Sequence, residues 1–269
     1  MKKILTGKVM CNDEIAKKIY KMQISCPDMG TVKAGQFVNI YLNDKSLLLP
    51  RPISICDADD NSITIVYRVV GKGTSILAEY KFSEPIRVST PLGNGYFIEG
   101  TESGGRIDDY RGKRAILAGG GIGVPPMVLL AKNLQEKGAE VIAAVGFQAE
   151  PFLIEELEKY CWEVHIATDN GITGFHGNAV QMIEEKNLTA DEFYSCGPKV
   201  MLRALSELCM KKDIPCQVSL EERMGCGYGA CVGCTCKIKV QTERGMEIQQ
   251  KGVCKHGPVF FGEEVVWDE

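Results

Sequence analysis

The chain has no run rich in lysine or arginine, and its 31 basic residues are outnumbered by 35 acidic ones for a formal charge of −4. That balance argues against the basic face a nucleic-acid binder presents. Histidine is scarce: His165, His176 and His256 are scattered, and none stands out as a general base for substrate chemistry. The opening Met-Lys-Lys-Ile-Leu-Thr-Gly-Lys-Val-Met has a basic pair but no apolar core, so no secretory signal is expected there. The uncharged stretch 115–131 is interrupted by Gly119, Gly120, Gly121, Gly123 and the pair Pro125-Pro126, which argues against a continuous membrane helix. Strand, turn and helix are expected there instead. The G-x-G-x-x-G dinucleotide fingerprint is also missing, along with the acidic residue about twenty positions beyond it.

What the chain does have is 269 residues, enough for two or three domains, with 45% apolar content and twelve cysteines. Without an export signal, those thiols read as reduced and cytoplasmic. Four of them, Cys226, Cys231, Cys234 and Cys254, follow the pattern C-x4-C-x2-C, a long gap, then one more cysteine. This is the plant-type spacing for a 2Fe–2S cluster. Gly225, Gly227 and Gly229 interleave with the first ligand and give the loop freedom to turn its amides toward sulfur. A structural zinc site is the alternative, but it usually shows two C-x2-C knuckles and only Cys231–Cys234 supplies one. Cys236 is an extra thiol that leaves the ligand assignment partly open.

Three textures follow one another. In residues 1–106, alternation over 15–25 and 36–42 and β-branched content over 62–70 predict strands, with a short helix over 73–80. Short strands at near-regular spacing suggest a small antiparallel barrel. In residues 107–213, strands at 114–118, 140–145, 163–167 and 192–195 alternate with helices at 127–137, 153–160, 177–185 and 199–211, the pattern of a parallel sheet covered on both faces. Residues 214–269 form a short segment rich in cysteine and glycine. The expected fold class is therefore multi-domain β plus α/β: an antiparallel barrel, a parallel-sheet domain and a small C-terminal cluster domain.

Arg51-Pro52-Ile53-Ser54 follows a proline-marked turn, and arginine offers a planar fork suited to a pyrophosphate oxygen. Alone this motif is weak. It gains force from Val66-Tyr67-Arg68 and Gly73-Thr74, where a strand ends in a glycine turn that opens a helix, an arrangement suited to anions. Residues 118–126, Ala-Gly-Gly-Gly-Ile-Gly-Val-Pro-Pro, likewise join strand to helix. Their glycines let a phosphate approach backbone, and a turn needed only for packing is the alternative.

The order of Arg-Pro-x-Ser, Gly-x-Gly-Thr, Ala-Gly-Gly-Gly-Ile-Gly-Val-Pro-Pro and Cys196-Gly197-Pro198 resembles the ferredoxin–NADP reductase superfamily. The loop Glu222-Arg223-Met224-Gly225-Cys226-Gly227-Tyr228-Gly229-Ala230-Cys231, with Gly257-Pro258-Val259-Phe260, is similar to one branch across essentially the whole chain. That branch is the electron-transfer subunits of class B, NAD-linked dihydroorotate dehydrogenases. The resemblance implies FAD held by Arg51, Pro52, Ile53, Ser54, Val66, Tyr67, Arg68, Gly73 and Thr74. It implies the NAD pyrophosphate at Gly119, Gly120, Gly121, Ile122, Gly123, Val124 and Pro125, with Cys196 near the nicotinamide as a bystander. A buried small cysteine at a strand end explains Cys196 as well. Asp169-Asn170-Gly171 would border the dinucleotide, or serve as a plain turn. The cluster ligands would be Cys226, Cys231, Cys234 and Cys254. The implied partner is an FMN-containing catalytic subunit in a heterotetramer.

Glu150, just past the strand that carries Val145, would repel a 2′-phosphate, so NAD(H) is expected over NADP(H). Nicotinamide moves electrons in pairs and a cluster singly, and a flavin converts between the two. The expected function is an electron path from the partner's FMN through cluster and FAD to NAD+ in pyrimidine biosynthesis. Two other readings stand beside it: the small subunit of another NAD(P)H–ferredoxin or sulfhydrogenase-type complex, and a zinc- or cluster-bearing redox sensor.

Overall fold

The computed structural model describes residues 2–44 and 46–267. Its first part is a closed antiparallel barrel of β1 (Ile4–Ala16), β2 (Ile19–Ser25), β3 (Phe37–Tyr41), β4 (Arg51–Ala58), β5 (Ser62–Arg68) and β6 (Pro85–Ser89), in the order β1-β2-β5-β4-β3-β6. Alternate residues such as Val9, Met22, Ile24, Val38, Ile40, Ile55, Ile63, Ile65 and Val88 fill the interior and are fully buried, as the two-residue period of a half-buried strand requires. The stretch 15–25 is not one strand. It contains a hairpin turn at Lys17-Lys18, with Lys18 at φ 61°. Two lysines carry none of the glycine or asparagine signal that marks such turns, so the alternation runs through them unbroken.

Helix α1 (Lys72–Ala78) closes one end of the barrel by burying Leu77. Its last carbonyls would be orphaned, but the Asn12 amide donates to Leu77 O, Ala78 O and Tyr80 O at 3.0–3.3 Å. Tyr67 in turn donates its hydroxyl to Asn12 Oδ1 at 2.9 Å. This fixes the far end of α1 and, with it, the position of its first turn at the barrel rim.

The second part is a seven-stranded sheet. Chain order gives β7 (Arg114–Gly120), α2 (Pro125–Glu136), β8 (Glu140–Phe147), α3 (Ile154–Glu158), β9 (Glu163–Thr168), β10 (Phe175–His176), α4 (Ala179–Glu185), β11 (Glu192–Cys196), α5 (Lys199–Lys212) and β12 (Cys216–Ser219). After β12 come a loop, the hairpin β13 (Thr235–Thr242) and β14 (Gly245–Gly252), helix α6 (Val253–His256) and β15 (Val259–Phe261). The sheet order is β10-β9-β8-β7-β11-β12-β15, parallel except for β15. Buried strand residues alternate between its two faces. Leu117, Ala143 and Val145 pack with α2, α3 and the barrel, while Ile116, Ala118, Ile142 and Phe193 pack with α4, α5 and the cysteine-rich segment.

Residues on both sides of position 213 thus share one sheet. β12 and β15 are too short to show a period in sequence, and they bracket the cysteine loop. A buried cluster ties the barrel's exit segment to this sheet. Glu192 accepts from Tyr194 at 2.7 Å, Tyr110 at 3.3 Å and Gln217 at 2.9 Å, and Gln217 also bonds both backbone groups of Phe97. Burial above all raises the Glu192 carboxyl pKa, against the pull of those three donors.

Candidate functional site

The first turn of α1 faces β4. The Arg51 guanidinium, bonded to Leu49 O, lies where a side chain on Gly73 would stand, so only glycine lets the cation come this close. Thr74's hydroxyl is engaged in capping: it accepts from Val70 N at 2.9 Å and Gly71 N at 3.2 Å and donates to Gly71 O. The charged group left beside the first turn of α1 is thus Arg51. Of the other predicted flavin-contacting residues, Ile53 and Val66 are buried, Pro52 and Arg68 are exposed, and Ser54 is half-buried. Tyr67 is buried against Tyr20, stacked at 5.8 Å.

Arg68 reaches from the barrel rim toward the second sheet, with its Nη2 3.5 Å from the place a Cβ on Gly121 would occupy. There the chain order puts β8 on one side of β7 and β11 on the other. Such a switch point opens a crevice at the carboxyl ends of the strands. Gly119 to Val124 and Cys196 stand at this end of the sheet, with Gly121, Ile122 and Cys196 partly exposed and Gly119, Gly120, Gly123 and Val124 buried. A side chain on Gly123 would run into the Cys196 carbonyl, and one on Gly120 would meet Met201 and Pro198. These two glycines are required by close packing of the turn against β11 and α5, and Pro125 sits at the first position of α2. Cys196 packs inward; burial pushes its thiol up to about 12, with Ser219 opposing, which keeps it protonated. Asp169-Asn170-Gly171 form the turn after β9, with Ile172 N bonded to Asn170 Oδ1. Glu150 is exposed beyond β8, its carboxylate 3.5 Å from Lys17 N.

The four cysteines meet in two pairs. The Cys226 and Cys231 thiols lie within hydrogen-bonding reach of each other, as do those of Cys234 and Cys254. Amides turn toward sulfur: Tyr228 N donates to Cys226 Sγ at 3.3 Å and Cys254 N to Cys234 Sγ at 3.4 Å. Gly227 and Gly229, at φ 72° and 83°, make the fold of this loop possible. Burial works upward on Cys226, but the amides of Cys231, Tyr228 and Ala230 and the Cys231 thiol bring it down to about 6. Among the described residues, no three histidine, cysteine or acidic side chains gather around one ion position. Two thiol pairs suit the two irons of a 2Fe–2S cluster better than a single tetrahedral zinc. Cys231 is exposed and Cys226 half-buried, whereas Cys234 and Cys254 are buried. Cys236 donates instead to Lys251 O at 3.6 Å and lines a cavity of about 320 Å3 beside Lys199 and Glu222.

The cysteine loop is bonded directly to the barrel, which the sequence does not reveal. Asn39 on β3 donates to Cys226 O at 3.0 Å, and the Tyr41 and Tyr228 hydroxyls meet at 2.7 Å. Asn94 clasps the segment after α6, donating to His256 O and Val259 O and accepting from Val259 N. Two histidines sit beside local groups: His165 Nε2 lies 2.8 Å from Glu163 without a hydrogen bond to it, and His256 accepts from Gly252 N. Among the described residues, no helix is long and apolar enough to cross a membrane.

Residues 221–266 match the family model described as the iron-sulfur cluster binding domain of dihydroorotate dehydrogenase B. The chain is similar to a protein of Caldanaerobacter subterraneus named dihydroorotate dehydrogenase B (NAD(+)), electron transfer subunit, 38% identical over 98% of both chains. The protein of the same name from Bacillus caldolyticus is 41% identical over 94% of both. Among solved structures, a chain of an NADH-dependent reduced ferredoxin-NADP oxidoreductase superposes with a TM-score of 0.83 at 26% identity, covering 97% of this chain and 90% of that one.

Proposed function

The chain belongs to the electron-transfer subunits of NAD-linked dihydroorotate dehydrogenase B, and from that premise we propose that it takes electrons from its catalytic partner and delivers them to NAD+ in pyrimidine biosynthesis. Its cofactors are FAD, a 2Fe–2S cluster and NAD(H). When bound, the cluster supplies single-electron transfer and the flavin the exchange between single electrons and the hydride of a nicotinamide.

Each division of the chain holds one of these groups: 1–106 the flavin, 107–213 the dinucleotide, 214–269 the cluster. Arg51 and the α1 first turn, where Gly73 leaves space, would hold the FAD pyrophosphate, with Pro52, Ile53, Ser54, Val66, Tyr67, Arg68 and Thr74 around it. Gly119 to Pro125 would take the NAD pyrophosphate on bare backbone, with Cys196 shaping the nicotinamide end. Cys226 and Cys231 would hold one iron, Cys234 and Cys254 the other.

The observation that carries the reading is connectivity. The cysteine loop is bonded to the barrel through Asn39 and Tyr41, and Arg68 spans from the barrel to the glycine turn. These contacts support an arrangement of the three sites in series within one packed body. The exposed Cys231 faces outward, where a partner's flavin would approach.

The partner is the catalytic subunit that oxidises dihydroorotate, FMN-containing and assembled with this chain as a heterotetramer. All twelve cysteines are free thiols, which supports a reducing cytoplasmic setting. The fold is shared with the ferredoxin–NADP type of complex, but four cysteines at the cluster and relatives near 40% identity favour the dihydroorotate reading.

The test is anaerobic co-purification of the chain with its catalytic partner, followed by an assay of dihydroorotate-dependent NAD+ reduction. A stable complex that reduces NAD+ with dihydroorotate is expected. Isolation with an unrelated dehydrogenase, or protein carrying neither iron nor flavin, would overturn the reading.

A further inference from the structure

Asn39 is fully buried on β3, far from any cysteine in sequence, yet its amide donates to the backbone carbonyl of the ligand Cys226 at 3.0 Å. The next residue of the loop closes over it. A side chain on Gly227 would run into Asn39 Nδ2 and Oδ1, and Gly227 sits at φ 72°. Asn39 Oδ1 is buried and has no hydrogen-bond partner, which costs stability for a polar atom. An apolar residue of the same size would fill this site without that cost. Asn39 N is held in turn by Ser89 Oγ at 2.9 Å, which anchors this stretch of β3 to β6. Across the β3–β4 ladder, Asn39 pairs with Pro52 and Ile40 with Arg51. One hydrogen bond and one ladder step therefore separate the ligand Cys226 from the arginine motif.

We infer that Asn39 is a positioning residue that locks the Cys226 end of the cluster loop to the flavin-side strand, so that the loop's amides stay aimed at the ligand sulfur. The inference rests on the reading of that loop as a 2Fe–2S site. Hydrogen bonds to cluster sulfurs are among the determinants of potential, because they stabilise the added negative charge of the reduced state. Releasing Cys226 O lets the N–H groups that face Cys226 Sγ drift, and the cluster becomes harder to reduce.

The test compares wild type with Asn39→Leu, an apolar replacement of similar volume, and with Asn39→Ala, which removes the amide donor without adding a charge. Each is purified anaerobically, assayed for iron, sulfide and FAD, and titrated electrochemically with the reduced cluster followed by electron paramagnetic resonance. Both variants should keep the cluster and flavin. Their midpoints should fall by an amount equivalent to about tenfold in the electron-sharing equilibrium, which is about 59 mV for one electron, and their signals should change in anisotropy. A purely structural role would lower the melting temperature and leave midpoint and line shape unmoved. If Asn39→Leu does not fold, Asn39→Ala alone decides. A wild-type cluster signal matched in midpoint and shape by the variant would overturn the inference, and wild-type protein lacking the signal would overturn the underlying cluster reading.

Discussion

Arg51 rests its guanidinium on the bare Cα of Gly73, so the cation and the first turn of α1 meet at one point of the barrel rim. A side chain at Gly73 would have to push the Arg51 guanidinium aside. Gly73→Ala should displace Arg51 and weaken flavin retention about as much as Arg51→Ala does. For a charge-assisted hydrogen bond worth about 1.5–3 kcal/mol, the loss in FAD affinity is on the order of tenfold to a hundredfold. Flavin absorbance of dialysed protein, titrated back with FAD, measures it.

Serine substitutions separate the proposed ligands from bystanders. Serine at Cys234 or Cys254 should remove the iron and acid-labile sulfide, since a buried pair has no substitute ligand. Serine at Cys236, whose thiol is turned to Lys251 O, should leave iron content and visible spectrum within a few per cent of wild type (on the order of assay error). Equal loss from Cys236→Ser would assign that thiol to the cluster.

Glu192 gives the fold a pH signature. Its pKa is raised chiefly by burial, so the native state holds that proton at a pH where the unfolded chain has released it. Stability from this group is therefore greatest at low pH and falls as pH climbs from the ordinary carboxylate value through the raised one, then levels off. Glu192→Gln should flatten this part of the profile. Urea midpoints of wild type and variant from about pH 4 to about pH 8 give the difference, and a constant difference would mean Glu192 does not titrate in that window.

Glu150 stands exposed beyond β8, on the side of the sheet where an adenosine ribose would lie. Glu150→Arg should improve use of NADP(H) about tenfold, or about 1.4 kcal/mol, by exchanging a repelling charge for a fork that binds phosphate. Steady-state KM values for both nucleotides test this. Unchanged discrimination would place the 2′-position elsewhere.

Much of this architecture is legible from local pattern. The barrel strands with clear two-residue alternation, the β/α succession of 107–213 and the cysteine spacing all carry their signal within a few positions, because side-chain direction repeats along each element. The hairpin at Lys17-Lys18 was hidden by its lysines, and β12 and β15 by being too short to show a period. The link from Asn39 to Cys226 spans 187 residues. An asparagine inside the otherwise apolar run Phe37-Val38-Asn39-Ile40 is its only trace in sequence, and nothing local says what that amide meets.

β12 enters the cysteine segment and β15 leaves it, and both are strands of the same seven-stranded sheet. The segment is therefore sewn down at its two ends, not hung from a tether. A carrier domain on a flexible arm can shuttle between docking points, and its turnover is then limited by how fast it swings. This one has no such freedom, so the rate of internal handoff is governed by fixed separations and driving force, and any docking partner meets a stationary terminal.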